Sequence, residues 1–463
     1  MKKLHFILAS SFIFTLLFYN EDLGLNWAIF GIVQIGLICH FFQEKFTSRL
    51  HWLLVVASVL SCFAFAWYGD LSSFFAMSLS IIFLQFKTQE PKLKVLHALP
   101  LVLINGIASV GRIFMFSQYL PKRKVNNDFA KKMIAYFVIP VLFLGLFLIV
   151  YSFGSDHFSS MFTDYYLDVD AWQILLISAL GFYISFTFWN YWIPEVCYEK
   201  NDLLDNDFME KAQTQNQNSF SFLDIDFERR SGEITLFLLN ILILVFIATY
   251  NYEQFFEVVR KSDLSSDTHE RVAAVIFSIV MAVGVILFYF KGGFNFDEKA
   301  EKLKKLAKMW ILLNGILILC AIIKNAQYVS YFGLTYKRLG VFTFLILAIV
   351  GLVISSIKIN KQKTNAFLFN QMVWFFYGTI LLCSFVNWGN LITNYNITVN
   401  KGVEENFLRN LNFNHGIYYD YFKLHPEQMQ GKENLKLDYE GNLPEESFLS
   451  KSLYYEFIDS KNE

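Results

Sequence analysis

Charge is what this 463-residue chain has least of: Asp, Glu, Lys and Arg together make up 17% of it. Soluble domains carry about 25%. The charges that are present nearly cancel, leaving a net −1, so the chain lacks the clustered excess of Lys and Arg that phosphate backbones demand, and no nucleic-acid partner is expected. Cysteine is sparse and scattered: Cys39, Cys62, Cys197, Cys320 and Cys383 form no C-x-x-C pair, which argues against a disulfide scaffold or a thiolate metal site. His40 and His51 show no metal-ligand spacing, and no metal or cofactor is expected. There is no G-x-S-x-G, no phosphate-binding glycine loop and no pair of carboxylates within an apolar run. The near absence of acids in those runs also weighs against a proton-driven pump, which needs a titratable relay. No catalytic residue is assigned, and the chain reads as a non-enzyme.

What is abundant is apolar sequence: 55% hydrophobic residues, 52 of them Phe. It is blocked into long uncharged runs such as IAYFVIPVLFLGLFLIVYSF (134–153) and VFTFLILAIVGLVISSI (341–357). About 20 apolar residues span a bilayer's hydrocarbon. The sequence therefore predicts an all-α, polytopic transmembrane helix bundle with membrane lipids as its surroundings. Spans are expected near 4–19, 25–42, 50–68, 71–86, 133–153, 171–193, 232–250, 272–290, 307–328, 340–357 and 367–388, about eleven in all. The first is read as an uncleaved helix, since no small-x-small cleavage site closes it.

Loop charge orients these runs, because Lys and Arg concentrate on the cytoplasmic side. Lys2 and Lys3, the 43–50 loop, the 87–94 loop, PKRKVNNDFAKK (121–132) and the lysine-rich 291–308 loop all fall inside, as expected for a bacterial cytoplasmic membrane. DHFSSMFTDYYLDVD (156–170), with four acids and no Lys or Arg, falls outside. Both flanks of 95–117 then want the cytoplasm. That segment also carries His97, Pro100, Asn105 and Arg112, costly at mid-bilayer, so it is expected to be interfacial or re-entrant rather than spanning.

Four units follow: a four-span unit at 1–94, the interfacial segment and basic loop at 95–132, a seven-span core at 133–389, and a small aromatic, charged extracytoplasmic tail at 390–463. Within the core, the acidic, Gln/Asn-rich 194–231 loop is expected to be a mobile excursion. The tail is too aromatic to be disordered and should form short helices on the bundle's outer face.

Several stretches resemble one family. IPVLFLGLFLIVYSFGSDHF (139–158), ERRSGEITLFLLNILILVF (228–246) and HERVAAVIF (269–277) are similar to successive helices of the domain-of-unknown-function 4173 family and its 4153 relatives. Lys324, Tyr328, Gly333-Leu334-Thr335 and Arg338 follow that family's pattern of Arg, Tyr, Gly-Leu-Thr and Arg, with Lys in place of the first Arg. LITNYNI (391–397) resembles its closing Tyr-Asn element. The similarity covers about 120–420, with the first hundred residues matching in layout. It implies a fold and a topology and brings no activity with it.

The stretch NAQYVSYFGLTYKRLG (325–340) is the sharpest site candidate. Lys324, Tyr328 and Tyr331 share a helix face. Gly333 suits a helix stop, and Thr335 an N-cap for the next helix. Lys337 and Arg338 then fall in that helix's first turn, where the dipole disfavours cations by about 0.3–1 kcal/mol each. An acceptor is therefore expected. It is either an anionic ligand or partner held at the outer rim, or an internal ion pair with Asp156 or a tail carboxylate, and the internal pair is weighted above the ligand. Asn240, Asn314, Asn370 and Gln371 lie within spans and read as interhelical glue before substrate path. Asn190, Pro194 and Glu195 read as a helix end before a cavity wall. The sequence thus favours a scaffold, sensor or accessory subunit of a membrane complex. A transporter or channel for a small or lipidic solute comes next, and a lipid-modifying enzyme using Asp156 or His157 last.

Overall fold

The computed structural model describes residues 3–46, 48–114, 170–209, 224–256, 264–428 and 447–462, with four further positions between 136 and 143. The described residues are helices and connecting turns without a strand. Helices α1 (Lys3–Phe18), α2 (Leu25–Phe41), α3 (Arg49–Tyr68), α4 (Leu71–Gln89) and α5 (Ala98–Phe114) are followed by α6 (Ala171–Trp189) and the short α7 (Glu195–Glu199). Then come α8 (Ile225–Phe256), α9 (Leu264–Tyr289), α10 (Glu301–Phe332), α11 (Tyr336–Asn360) and α12 (Asn365–Cys383). The tail forms α13 (Trp388–Val399), α14 (Glu405–Arg409), α15 (His415–Leu424) and α16 (Leu453–Asn462).

The predicted 133–153 span lies outside the described residues; each of the other ten predicted spans falls on a helix. Among the described residues, eight helices are long and apolar enough to cross a membrane, and α1, α2 and Ala274–Tyr289 are shorter apolar helices. Local chemistry sets the boundaries. Ser48, Asp70, Asp170 and Thr364 cap their helices by accepting backbone N–H bonds, and Gly69, at φ +63°, lets α3 stop one residue before the Asp70 cap of α4.

Two cores divide the bundle. One joins α1–α6 and one face of α12, with Trp189 stacked on Phe6 at 5.1 Å and Ser80 bonded to Tyr377 at 2.8 Å. The other joins α8–α11 around Leu236, Ile279, Leu303 and Leu352. α12 packs on both α4 and α11 and so links the two.

The bundle has two polar ends. The lysine end carries Lys3, Lys45, Lys87, Lys94 and Lys363. Its loops interlock through Lys94–Asp205 (2.7 Å), Lys363–Asp207, Arg229–Asp297 (2.9 Å) and the buried Lys358, whose Nζ donates to the Phe290 carbonyl at 2.6 Å. Residues 195–209 of the acidic loop are therefore anchored, not a free excursion. Asn370, in α12, donates to Leu204 O and Asn206 Oδ1, both at 2.8 Å, and the ion pairs of Asp205 and Asp207 do the rest.

The opposite, tail end is capped by short helices, as the tail composition predicts. Leu25 N donates to Lys451 O (3.1 Å) and Asn26 N to Leu449 O (3.0 Å), so the C-terminal segment supplies the acceptors that the first turn of α2 needs. Ser450 Oγ adds a 2.6 Å bond to Glu21.

Candidate functional site

The stretch at 325–340 folds as α10, a three-residue turn and α11, at the tail end. Gly333 has φ +83° and ψ 177°, a conformation open essentially to glycine alone, and a Cβ there would lie 2.7 Å from Lys401 O. Thr335 caps α11 by accepting from Arg338 N at 3.3 Å. The Arg338 guanidinium donates to the Gly333 carbonyl and lies 4.5 Å from the Tyr328 ring and 5.9 Å from Phe332. Its acceptors are thus the carbonyl that ends α10 and two aromatic faces, a helix C-terminus being where a cation is favoured.

Lys324 sits 4.6 Å over the Tyr250 ring of α8. Tyr331 (72% exposed) and Lys337 face outward, apart from the Arg338 cluster. Asp156 lies outside the described residues. The tail closes over this turn. Asn396 accepts from Leu334 N at 2.6 Å and donates to Leu334 O at 3.1 Å, while Leu334, Ile392, Leu408 and Phe422 form a third small core. Of the predicted rim, Tyr328, Thr335 and Arg338 come together as a clasp between bundle and tail, with Lys324 and Tyr250 beside it.

The polar span residues take different roles. Asn240 donates to Leu306 O (3.1 Å) across helices, whereas Asn314 turns back on its own helix to Trp310 O (2.8 Å). A cleft of about 290 Å³ opens elsewhere, between α2, α4, α5 and α6. Its walls are apolar and aromatic (Trp27, Phe30, Met77, Phe188), with Gln34 and Gln85 set among them, each 3% exposed.

Both amides are oriented by one stretch of α6. Gln34 Oε1 accepts from Trp189 Nε1 at 3.1 Å, and Gln85 Nε2 donates to Phe188 O at 3.2 Å. The remaining atoms, Gln34 Nε2 and Gln85 Oε1, have no partner among the described residues, and neither do Ser185 Oγ and Thr187 Oγ1. Such buried groups cost about 1–3 kcal/mol each when unpaired, so the residues of the cleft wall hold one fixed donor, one fixed acceptor and two hydroxyls without partners, each of these atoms buried beneath the cleft surface. Among the described residues, no charged one lines it.

α5 covers the lysine side of the cleft. Ala98 O accepts from Tyr191 (3.2 Å), Asn105 brackets the Trp192 peptide (2.7 and 2.8 Å), and Arg112 donates to Asn190 O (2.9 Å). Positions seven apart on α5, about 10 Å along its axis, all meet residues 190–192. The helix therefore lies across the end of α6 rather than alongside it. Val95–Phe114 is long and apolar enough to span, yet its polar residues are spent on this crossing.

Of the cleft's lining residues the sequence singles out Asn105, a polar group in an apolar segment, and neither glutamine. A lone Gln in an apolar run reads as helix glue; the one signal was Gln34 standing between Gly31 and Gly36, a polar group where a helix surface is otherwise small.

Long apolar helices, two bundle cores and interlocked polar ends define a multi-pass helical membrane protein. The chain belongs to the family of the domain of unknown function DUF4153, whose model matches residues 7–416. The match takes in α1–α5 as well as the later helices, so the N-terminal unit with its cleft is part of the family domain. No curated protein and no solved structure matches the chain.

Proposed function

We propose that this protein is a non-enzymatic sensor or accessory subunit of the bacterial cytoplasmic membrane, and that it acts by holding a small solute in the cleft between α2, α4, α5 and α6. The lysine end faces the cytoplasm on this reading, in keeping with the usual bias of basic loops, and the tail cap faces outward toward a protein partner. The observation that carries it is the pair of buried, oriented amides that leave a donor and an acceptor unpaired in the wall of an apolar cleft with no charged residue among its described lining, the usual make-up of a ligand site. Arg338 weighs against an anionic ligand at the rim, because its guanidinium is already engaged by Gly333 O and Tyr328.

Gly106 lines the cleft, and a Cβ there would meet only Tyr183 Oη, at 3.7 Å, so Gly106→Leu should fill the space. Small molecules extracted from the full chain in lipid nanodiscs should include one retained stoichiometrically by the wild type and lost from a folded Gly106→Leu variant. Retention of nothing, or equal retention by both, would sink the reading. The cleft equally suits a carrier, and proteoliposome flux of the retained molecule would move the protein to that class.

A further inference from the structure

We infer that the cleft takes an uncharged amphiphile, a molecule with a small alcohol or primary amide head and an apolar body, held with its head toward the lysine end. This rests on the cleft being a ligand site and adds what the ligand is.

Three observations converge. The first is charge: the described lining residues include neither an acid nor a base, so an ionic head would be buried among them without a counter-charge. The second is the hydrogen-bond pattern. Gln34 Oε1 is committed to Trp189 and Gln85 Nε2 to Phe188 O, which fixes the orientation of both amides. A ligand head that displaces the side chains covering these buried atoms therefore meets Gln34 Nε2 as a donor and Gln85 Oε1 as an acceptor, with Ser185 and Thr187 able to serve either way. A hydroxyl or a primary amide satisfies both; a pure hydrocarbon satisfies neither.

The third is depth. Gln85 lies four residues from the lysine end of α4, about 6 Å along the helix, and Met77 lies twelve residues from it, about 18 Å. Gln85 thus sits near the lysine end, Gln34 is seven residues from it on α2, about 10 Å, and the apolar wall of Met77, Phe30 and Trp27 runs on toward the tail end, Trp27 being the third residue of α2. That gradient matches how an amphiphile stands in the leaflet on the lysine side, and α5, crossing there with Asn105 and Gly106, closes over the head.

A matched head-group series tests this. Decanol, decanoate and decyltrimethylammonium, each with a diazirine in the chain, are photolysed with the full chain in phosphatidylethanolamine–phosphatidylglycerol nanodiscs, and labelled peptides are mapped. The alcohol should label the cleft saturably, at Ile81, Ile184 or Phe188, and the two ions should not. Gln85→Leu should cut that labelling about fivefold, the factor a single hydrogen bond is worth. Ser185→Ala, which removes an unpaired hydroxyl and orphans no other group, should cut it likewise while leaving thermal stability intact. Equal labelling by all three heads, or alcohol labelling unchanged in both variants, overturns the assignment of ligand class while leaving a binding cleft. Cleft labelling by none of the three removes the cleft as a ligand site and with it the reading above.

Discussion

Asn396 shows how one side chain can hold two layers together. Its amide pairs with both backbone groups of Leu334 and is wholly buried. Asn396→Ala would leave a buried N–H and a buried C=O without partners, at about 1–3 kcal/mol each. The expected outcome is a clear drop in thermal stability in nanodiscs, together with faster hydrogen exchange across 388–424. At this scale the sequence was legible wherever a local rule sufficed: the Thr335 cap and the positive φ of Gly333 follow from neighbours in the chain. The partners of Arg338 were half legible. The need for an acceptor followed from its place in the first turn of α11; among the described residues the guanidinium meets a carbonyl five residues back and a tyrosine ring ten back, and Asp156 lies outside those residues. The cleft amides were not legible, because what makes Gln34 and Gln85 unusual is the atom each leaves unpaired, a property of packing.

Among the elements, Gly333 and α5 carry the sharper expectations. Gly333→Ala places a Cβ 2.7 Å from Lys401 O at a φ of +83°. The turn would have to change, costing about 1–3 kcal/mol of backbone strain. Because the clash is with tail backbone, the tail should loosen before the bundle does, visible as protease cleavage between α13 and α15 with the helical circular dichroism of the bundle retained. α5 was expected to lie at an interface because basic sequence flanks it on both sides, and its contacts with 190–192 run across the end of α6. Single cysteines replacing Lys94 and Phe114 in a cysteine-free background should react with an impermeant maleimide from the same side of sealed vesicles. Labelling from opposite sides would make α5 a span and α6's partner geometry a crossing within the membrane. The other spans were legible from uncharged runs alone, since a bilayer imposes one length and one composition on every crossing helix. The anchoring of 195–209 was not, because a Gln/Asn-rich loop looks mobile until Asp205 and Asp207 find lysines from two other loops.

Across the whole molecule, the tail ties the N-terminal unit to the later helices, and a histidine sits in that tie. Tyr454 and Tyr455 of α16 pack on His415 and Phe413, their rings 5.5 Å (Tyr455–His415) and 5.1 Å (Tyr454–Phe413) away, and the adjoining residues 449–451 cap α2. Burial pulls the His415 imidazole below its ordinary 6.5. The folded tail therefore favours the neutral ring, and the unfolded or detached tail binds the proton more tightly. Stability rises with pH wherever the detached state holds more protons. The tie is thus at full strength above about 6.5 and weakens as pH falls from there toward the lower folded value, below which the loss levels off. Hydrogen exchange of residues 447–457 should accelerate between pH 7.5 and 5 in the wild type and lose most of that pH dependence in His415→Phe, which keeps the ring packing and removes the titration. Because 449–451 supply the acceptors for Leu25 and Asn26, which immediately precede the cleft residue Trp27, the same release should unwind the first turn of α2. Retention of the cleft's amphiphile should then fall with pH in step with exchange at 447–457. A pH-independent retention alongside pH-dependent exchange would mean that the tail holds the two halves together without governing the cleft.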